Sequence, residues 1–351
     1  MAWRRAFGLV AALAIAGAAC GGGGTAPAGG GTPTQTAGGE PGQEKVKFAI
    51  LLPCQINDLS WCQAAYEGAK QLEAEGLIEL SYTDNAPQDA AGATRLITGY
   101  ANDGNQLIIG HSFNYGDPIR KLAPDFPEVN FAWQGGLGEE GTDQNVADYD
   151  MPMYEAAYLA GILGAGVTET GIFGGSAGFD IPVCRAVLEA FKLGAKEVRQ
   201  DARVLETFIG DWQDVAKAKE AALAQADQGA DVFVACGDGP SQGMIQAVKE
   251  RGLTAFGYVG DESSLAPENV LASMVWKLSE TWRQMVEDVR NGTFQPGKFY
   301  KVGMAQGGFE VKLNPQYGKE IPEEVMSLYR QRLEEITSGS FEVPFIPTVE
   351  G

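Results

Sequence analysis

The chain has 351 residues, 44% hydrophobic and 21% charged, which is the composition of an ordinary folded protein with one large domain or two average ones. Lys plus Arg number 26 against 46 Asp plus Glu, for a formal charge of −20; that sign repels nucleic acid and anionic lipid, whose binding depends on neutralising phosphates. His111 is the single histidine and the five cysteines contain no CxxC pair, so histidine-based catalysis, zinc sites and thioredoxin-type motifs are excluded as organising themes.

Residues 1–19 read as a secretory signal: Arg4 and Arg5, an apolar run from Ala6 to Ala19, then Cys20. The run is shorter than the ~20 apolar residues of a membrane-spanning helix. Gly17-Ala18-Ala19-Cys20 is similar to a bacterial lipobox, which implies a lipidated Cys20 as the first mature residue; plain secretion is the alternative. Residues 20–43 are rich in Gly, Pro, Thr and Ala and bury too little apolar surface to fold, so they read as a flexible tether.

From Glu44 the pattern becomes alternating. Val46–Leu52 is a strand, Trp61–Glu75 a helix, Ile78–Tyr82 a strand and Ala91–Ala101 a helix, followed by strands at Leu107–Gly110 and Val129–Trp133. A helix at Met153–Gly164 precedes a restart: strand Gly171–Gly175, helix Pro182–Gly194, strand Val204–Ile209, helix Asp214–Gln228, strand Asp231–Ala235, helix Gln242–Arg251 and strand Ala255–Val259. Alternation of this length specifies βαβ units and parallel sheets. The fold class is therefore α/β, two doubly wound parallel-sheet lobes joined by a hinge. Lobe one is expected at 44–146 plus about 277–315 and lobe two at 147–276, with a C-terminal helix and tail at 316–351 assigned to neither.

In such sheets the C-terminal strand ends face the ligand crevice. Here they carry Asn57, Asp58, Ser60 and Trp61; His111 to Tyr115; Trp133-Gln134-Gly135-Gly136; Phe179-Asp180; Asp211-Trp212; Gly237-Asp238-Gly239; and Asp261-Glu262. Aromatics, acids and glycines without concentrated cations suit a neutral ligand with a flat ring and several hydroxyls. Each residue also has a plainer reading: Asp58 as a helix cap, Asp261 as an exposed turn, Lys277 as an ion-pair partner, and Trp61, Phe113 and Trp212 as packing.

Several ordered stretches resemble the basic membrane protein family of nucleoside-binding lipoproteins, substrate-binding parts of bacterial ABC importers. They are Asp58-Leu59-Ser60-Trp61 with Ala65-Tyr66-Glu67-Gly68, Glu155 to Gly161, Gly174-Gly175 with Ile181-Pro182-Val183, Phe208 to Asp214, then Gly237, Asp261 and Ser273 to Lys277. The resemblance spans about residues 46–345 and implies a type I periplasmic-binding-protein fold. It also implies that Trp61, Phe113 and Trp212 hold a base and Asp58 bonds its polar edge, while Gly237, Asp261 and Lys277 meet the ribose. Many relatives place an Asp where this chain has Gln134-Gly135-Gly136, so the base stays open. The implied protein is a monomer that uses no cofactor or metal, meets an ABC permease, and is anchored outside the membrane through Cys20.

The remaining cysteines are expected to pair as Cys54 with Cys62 and Cys184 with Cys236, since neighbouring first and third strands bring the second pair close; buried free thiols are the alternative. Two GxSxG matches, 174–178 and 239–243, lack a histidine downstream of the serine and so are not nucleophile elbows. An exported hydrolase using Asp58, Asp180 and Asp261, or a sugar-binding or sensory protein of the same fold, are the competing functions.

Overall fold

The structure, a computed structural model, describes residues 44–135 and 145–348. The signal, Cys20, the tether and Gly136 lie outside the described residues. Lobe one begins with β1 (Val46–Leu51), α1 (Trp61–Ala74), β2 (Ile78–Thr83), α2 (Ala90–Asn102), β3 (Leu107–Gly110), α3 (Gly116–Leu122), β4 (Asn130–Gln134) and β5 (Val146–Tyr149). Then follow α4 (Tyr154–Val167), β6 (Ile172–Ala177), α5 (Pro182–Val198), β7 (Arg203–Phe208), α6 (Val215–Asp227), β8 (Val232–Cys236), α7 (Asp238–Arg251), β9 (Thr254–Val259) and β10 (Val270–Trp276). The chain closes with α8 (Leu278–Asn291), β11 (Phe299–Tyr300), β12 (Phe309–Leu313) and α9 (Glu323–Ser338).

The strands form two six-stranded sheets, ordered β11-β5-β4-β3-β1-β2 and β12-β10-β9-β8-β6-β7. Every pairing is parallel except β10 with β12. Leaving aside β11 and β12, each sheet has the order 2-1-3-4-5, with its switch point between the first and third strands, where doubly wound sheets open a ligand crevice. The α/β class with two parallel-sheet lobes is thus the observed architecture.

The central strands β1, β3, β8 and β9 are almost wholly buried, because helices cover both faces. In lobe two α4 lies tightly on α5: a Cβ on Gly161 would fall 2.0 Å from the Phe191 carbonyl oxygen, and one on Gly194 would fall 1.8 Å from that of Tyr158. Only glycine permits backbones this close.

The chain crosses between lobes three times. Residues 150–153 link β5 to α4, and Lys277 links β10 to α8, whose Trp282 indole donates to the Ala65 carbonyl of α1. The third crossing, 301–308, joins β11 in the first sheet to β12 in the second. The stretch expected to stay in lobe one to about residue 315 therefore divides, because β12 pairs antiparallel with β10.

Both cysteine pairs are bonded. Cys54–Cys62 has its Cα atoms 5.7 Å apart and Cys184–Cys236 5.5 Å. The second bond follows from strand order, since β6 pairs with β8 and sets Ala177 against Cys236.

The cleft between the lobes

A cleft of about 810 Å³ lies at the two switch points, walled by both sheets' C-terminal strand ends. It is built first by the loop after β1. Asp58 caps α1 with both carboxylate oxygens, accepting from the backbone N–H groups of Ser60 (2.9 Å), Cys62 (2.9 Å) and Gln63 (3.0 Å). These are donors that a helix start leaves unpaired. Of the roles considered for Asp58, the cap is occupied in the structure.

That cap sets Trp61 at the first position of α1. Its indole N–H donates to the His111 carbonyl (3.2 Å), and the two rings stack at 4.6 Å. His111 is wholly buried: its Nε2–H donates to the Trp61 carbonyl (3.3 Å), and its Nδ1 accepts from the Tyr149 hydroxyl (2.7 Å). Burial lowers its pKa to about 3, so the ring is a neutral strut behind Trp61.

Phe113, 53% exposed, stands on the lobe-one rim after β3. On lobe two, Phe179 and Trp212 lie 5.1 Å apart, centroid to centroid. Trp212 rests on bare backbone, because a Cβ on Gly178 would fall 2.2 Å from its Cε3, and one on Gly237 3.0 Å away. Gly237, at φ +125°, also starts α7 in a conformation that other residues avoid.

The polar lining includes carboxamides from Gln55, Asn57, Asn85, Gln88, Gln134, Gln213 and Gln242, carboxylates from Asp58, Asp211 and Asp238, and the hydroxyl residues Ser112 and Tyr258. No Lys, Arg or His lines the cleft among the described residues. Gln134 is buried and its side chain donates toward buried Asp150, whose carboxyl burial lifts to about 6.

The structure places Asp261 and Lys277 outside this lining. Asp261 pairs with Lys312 at 2.7 Å, and Lys277 pairs with Glu310. Both partners sit on β12, a strand that the alternating pattern did not reveal. Asp180 is held in a fork by the Arg185 guanidinium (2.6 and 2.7 Å), so Asp58, Asp180 and Asp261 do not converge as a hydrolytic carboxylate set. Among the five expected residues that do line the cleft, Asp58, Trp61, Phe113, Trp212 and Gly237 come together from both lobes. Asp211, Asp238, Phe179, Asn57 and Gln134 stood at strand ends but were given no ligand role, and Gln55, Asn85, Gln88, Gln213 and Gln242 were missed as site residues.

The lobes touch directly behind the cleft. Ser60 Oγ donates to the Tyr258 carbonyl (3.1 Å), and Gln242 Nε2 donates to the Asp58 carbonyl (3.2 Å). Gly260 admits the Leu59 carbonyl where a Cβ would lie 2.0 Å from the oxygen. Asp238, 7% exposed, meets this seam; burial raises its pKa to about 6, while the Ser60 hydroxyl and the Trp61 N–H oppose that rise.

Glu262 is fully buried beside the seam. Its Oε2 accepts from the Ser241 hydroxyl (2.5 Å) and the Tyr258 N–H (2.8 Å), and Oε1 accepts no hydrogen bond. Burial pushes its carboxyl up to about 8. A carboxyl raised on folding binds protons more tightly in the folded chain, so its contribution is fully present in acid and is lost as pH rises through the folded value. His111, lowered on folding, acts in the opposite sense below about pH 6.5. Between about pH 6.5 and about 9 the melting temperature should therefore fall, and Glu262→Gln should flatten that fall by several degrees. Thermal melts of both proteins across this range check it; parallel curves would exclude Glu262 as the source.

With this geometry in hand, comparison with known proteins places the chain. Residues 45–344 match the family described as ABC transporter substrate-binding protein, PnrA-like. A purine-binding protein of Brucella abortus is 31% identical over 299 residues, covering 85% of this chain and 82% of its own. A relative from Haloferax volcanii, named for ABC-transport glucose binding, is 30% identical over 312 residues, covering 88% and 76%. Among solved structures, an ABC transporter solute-binding protein of Conexibacter woesei superposes with a TM-score of 0.70 at 26% identity, covering 86% of this chain and 99% of that one. Proteins of this kind are extracytoplasmic, bind small molecules for a permease and are not enzymes, and no helix among the described residues is long and apolar enough to cross a membrane. The chain belongs to the PnrA-like family of ABC transporter substrate-binding proteins.

Proposed function

We propose that the protein is a lipid-anchored, monomeric binding component that closes its lobes on a nucleoside, a purine nucleoside foremost, and delivers it to an ABC permease. The observation that carries this reading is a cleft with aromatic rings on both lobes and carboxamides between them, without a lining cation among the described residues. Aromatic faces take a flat base, carboxamides present both donors and acceptors to its edge and to ribose hydroxyls, and no cation is there to receive a phosphate. The Brucella relative's purine-binding name agrees with it. The Haloferax relative's name favours a second reading, a sugar stacked on the same rings.

Trp212 carries much of the affinity in this account, held flat by Gly178 and Gly237. Base–aromatic stacking is worth about 1–3 kcal/mol in single-stranded nucleic-acid complexes, so Trp212→Ala should weaken adenosine or inosine binding by about five- to 150-fold. Trp212→Phe should lose much less. Calorimetric titration with parallel thermal melting reads both effects. Wild-type affinity in the Ala variant would end the stacking role, and glucose binding without nucleoside binding would favour the sugar reading.

The anchor follows from Cys20. Acyl chains contribute about 0.8 kcal/mol per buried methylene, so more than one chain holds a folded domain at a membrane. The full-length protein expressed in a bacterium should enter the detergent phase, and Cys20→Ser should move it to the aqueous phase; an unchanged distribution would refute lipidation.

A further inference from the structure

The cleft carries a charge imbalance that a neutral ligand leaves uncorrected. Asp58, Asp211 and Asp238 line it, and no ion pair engages any of them among the described residues. Cations on the neighbouring elements are already taken: Arg185 by Asp180 and Glu206, Lys312 by Asp261, and Lys277 by Glu310. Each cleft aspartate sits at a helix start. Asp58 caps α1, Asp211 accepts from Gln213 and Asp214 ahead of α6, and Asp238 opens α7. A helix N-terminus supplies roughly half a positive charge, which offsets each carboxylate only in part.

Asp238 stands apart from the other two. It is 7% exposed, its Oδ1 accepts no hydrogen bond, and the groups that favour its charged form, Gln213 Nε2 at 3.4 Å from Oδ2, the Ser60 hydroxyl and the Trp61 N–H, are all neutral. A buried carboxylate that meets only neutral donors and no cation gains when positive charge arrives beside it. Trp61, Phe113, Phe179 and Trp212 line the same space, and ring faces attract cations through their quadrupoles.

We propose that the cleft selects positive charge on the base: a purine nucleoside with a cationic, N-alkylated base is bound in preference to a neutral one of the same shape, and Asp238 is the residue that reads the charge. The inference rests on the nucleoside reading above and deepens it.

The test compares 1-methyladenosine, a cation at neutral pH, with 1-methylinosine, which carries the same N1 methyl without the charge. Adenosine is the reference, and binding to the mature chain is read by calorimetry. At low salt the cation should bind about tenfold tighter than 1-methylinosine, with the ratio narrowing at about 0.5 M salt. Asp238→Asn should bring the ratio below about threefold, an effect that loss of shape alone would not produce. If adenosine binds but 1-methyladenosine shows no advantage over 1-methylinosine, charge selection is overturned and the nucleoside reading stands. A ratio unchanged in Asp238→Asn would remove Asp238 from the role, and failure of all three nucleosides would overturn the underlying reading.

Discussion

The arrangement of the cleft depends on one carboxylate, that of Asp58, and the three backbone N–H groups it satisfies at the start of α1. Those bonds fix the loop 58–61, and the loop does three things at once. It sets Trp61 against His111 as part of the lobe-one wall, it sends Ser60 Oγ across to the Tyr258 carbonyl, and it offers its own carbonyl to Gln242 of lobe two. Leu59, with φ at +63°, precedes Ser60 on one side of this contact, and Val259, with φ at +61°, follows Tyr258 on the other. Neither is glycine, so both conformations are held against local preference by the surrounding bonds. Cap, aromatic wall and interlobe seam are therefore one structure.

Lobe two answers with close backbone approaches as well as side chains. Gly178 and Gly237 leave a flat seat for Trp212, and Gly260 admits the Leu59 carbonyl. The disulfide Cys184–Cys236 ties the start of α5 to the end of β8 beside that seat, and Cys54–Cys62 does the same for the loop after β1. The binding surfaces thus stand on covalently and sterically fixed elements, while the three crossings between lobes supply the joint. Ligand-driven closure needs only that the ligand bind the closed arrangement better than the open one.

Much of this was legible in the sequence. Strand–helix alternation placed β1 to β4 and β6 to β9 with the helices α1, α2 and α5 to α7 between them, because fully covered parallel strands are short apolar runs between amphipathic segments. The alternation gave no sign of α3, β5 or β10, of β11, which has two residues, or of β12, an antiparallel edge strand with exposed Lys312 and Leu313. Missing β12 had a direct consequence at the site. Its Glu310 and Lys312 occupy Lys277 and Asp261, the two residues that the family resemblance assigned to the ribose. Asp58 shows the converse: its position after β1 was readable, but whether its oxygens face a ligand or a helix start is decided by a turn that no motif spells out. The carboxamides other than Asn57 and Gln134 were invisible for a different reason, since Gln and Asn at loop positions are common and only the fold gathers them.

The central claim is that two lobes close on a flat ligand gripped from both sides. Small-angle X-ray scattering of the mature protein, first freed of ligand by unfolding and refolding and then saturated with adenosine or inosine, tests it most directly. The account predicts a smaller radius of gyration with ligand than without. Superimposable curves, under conditions where calorimetry shows the site filled, would contradict it.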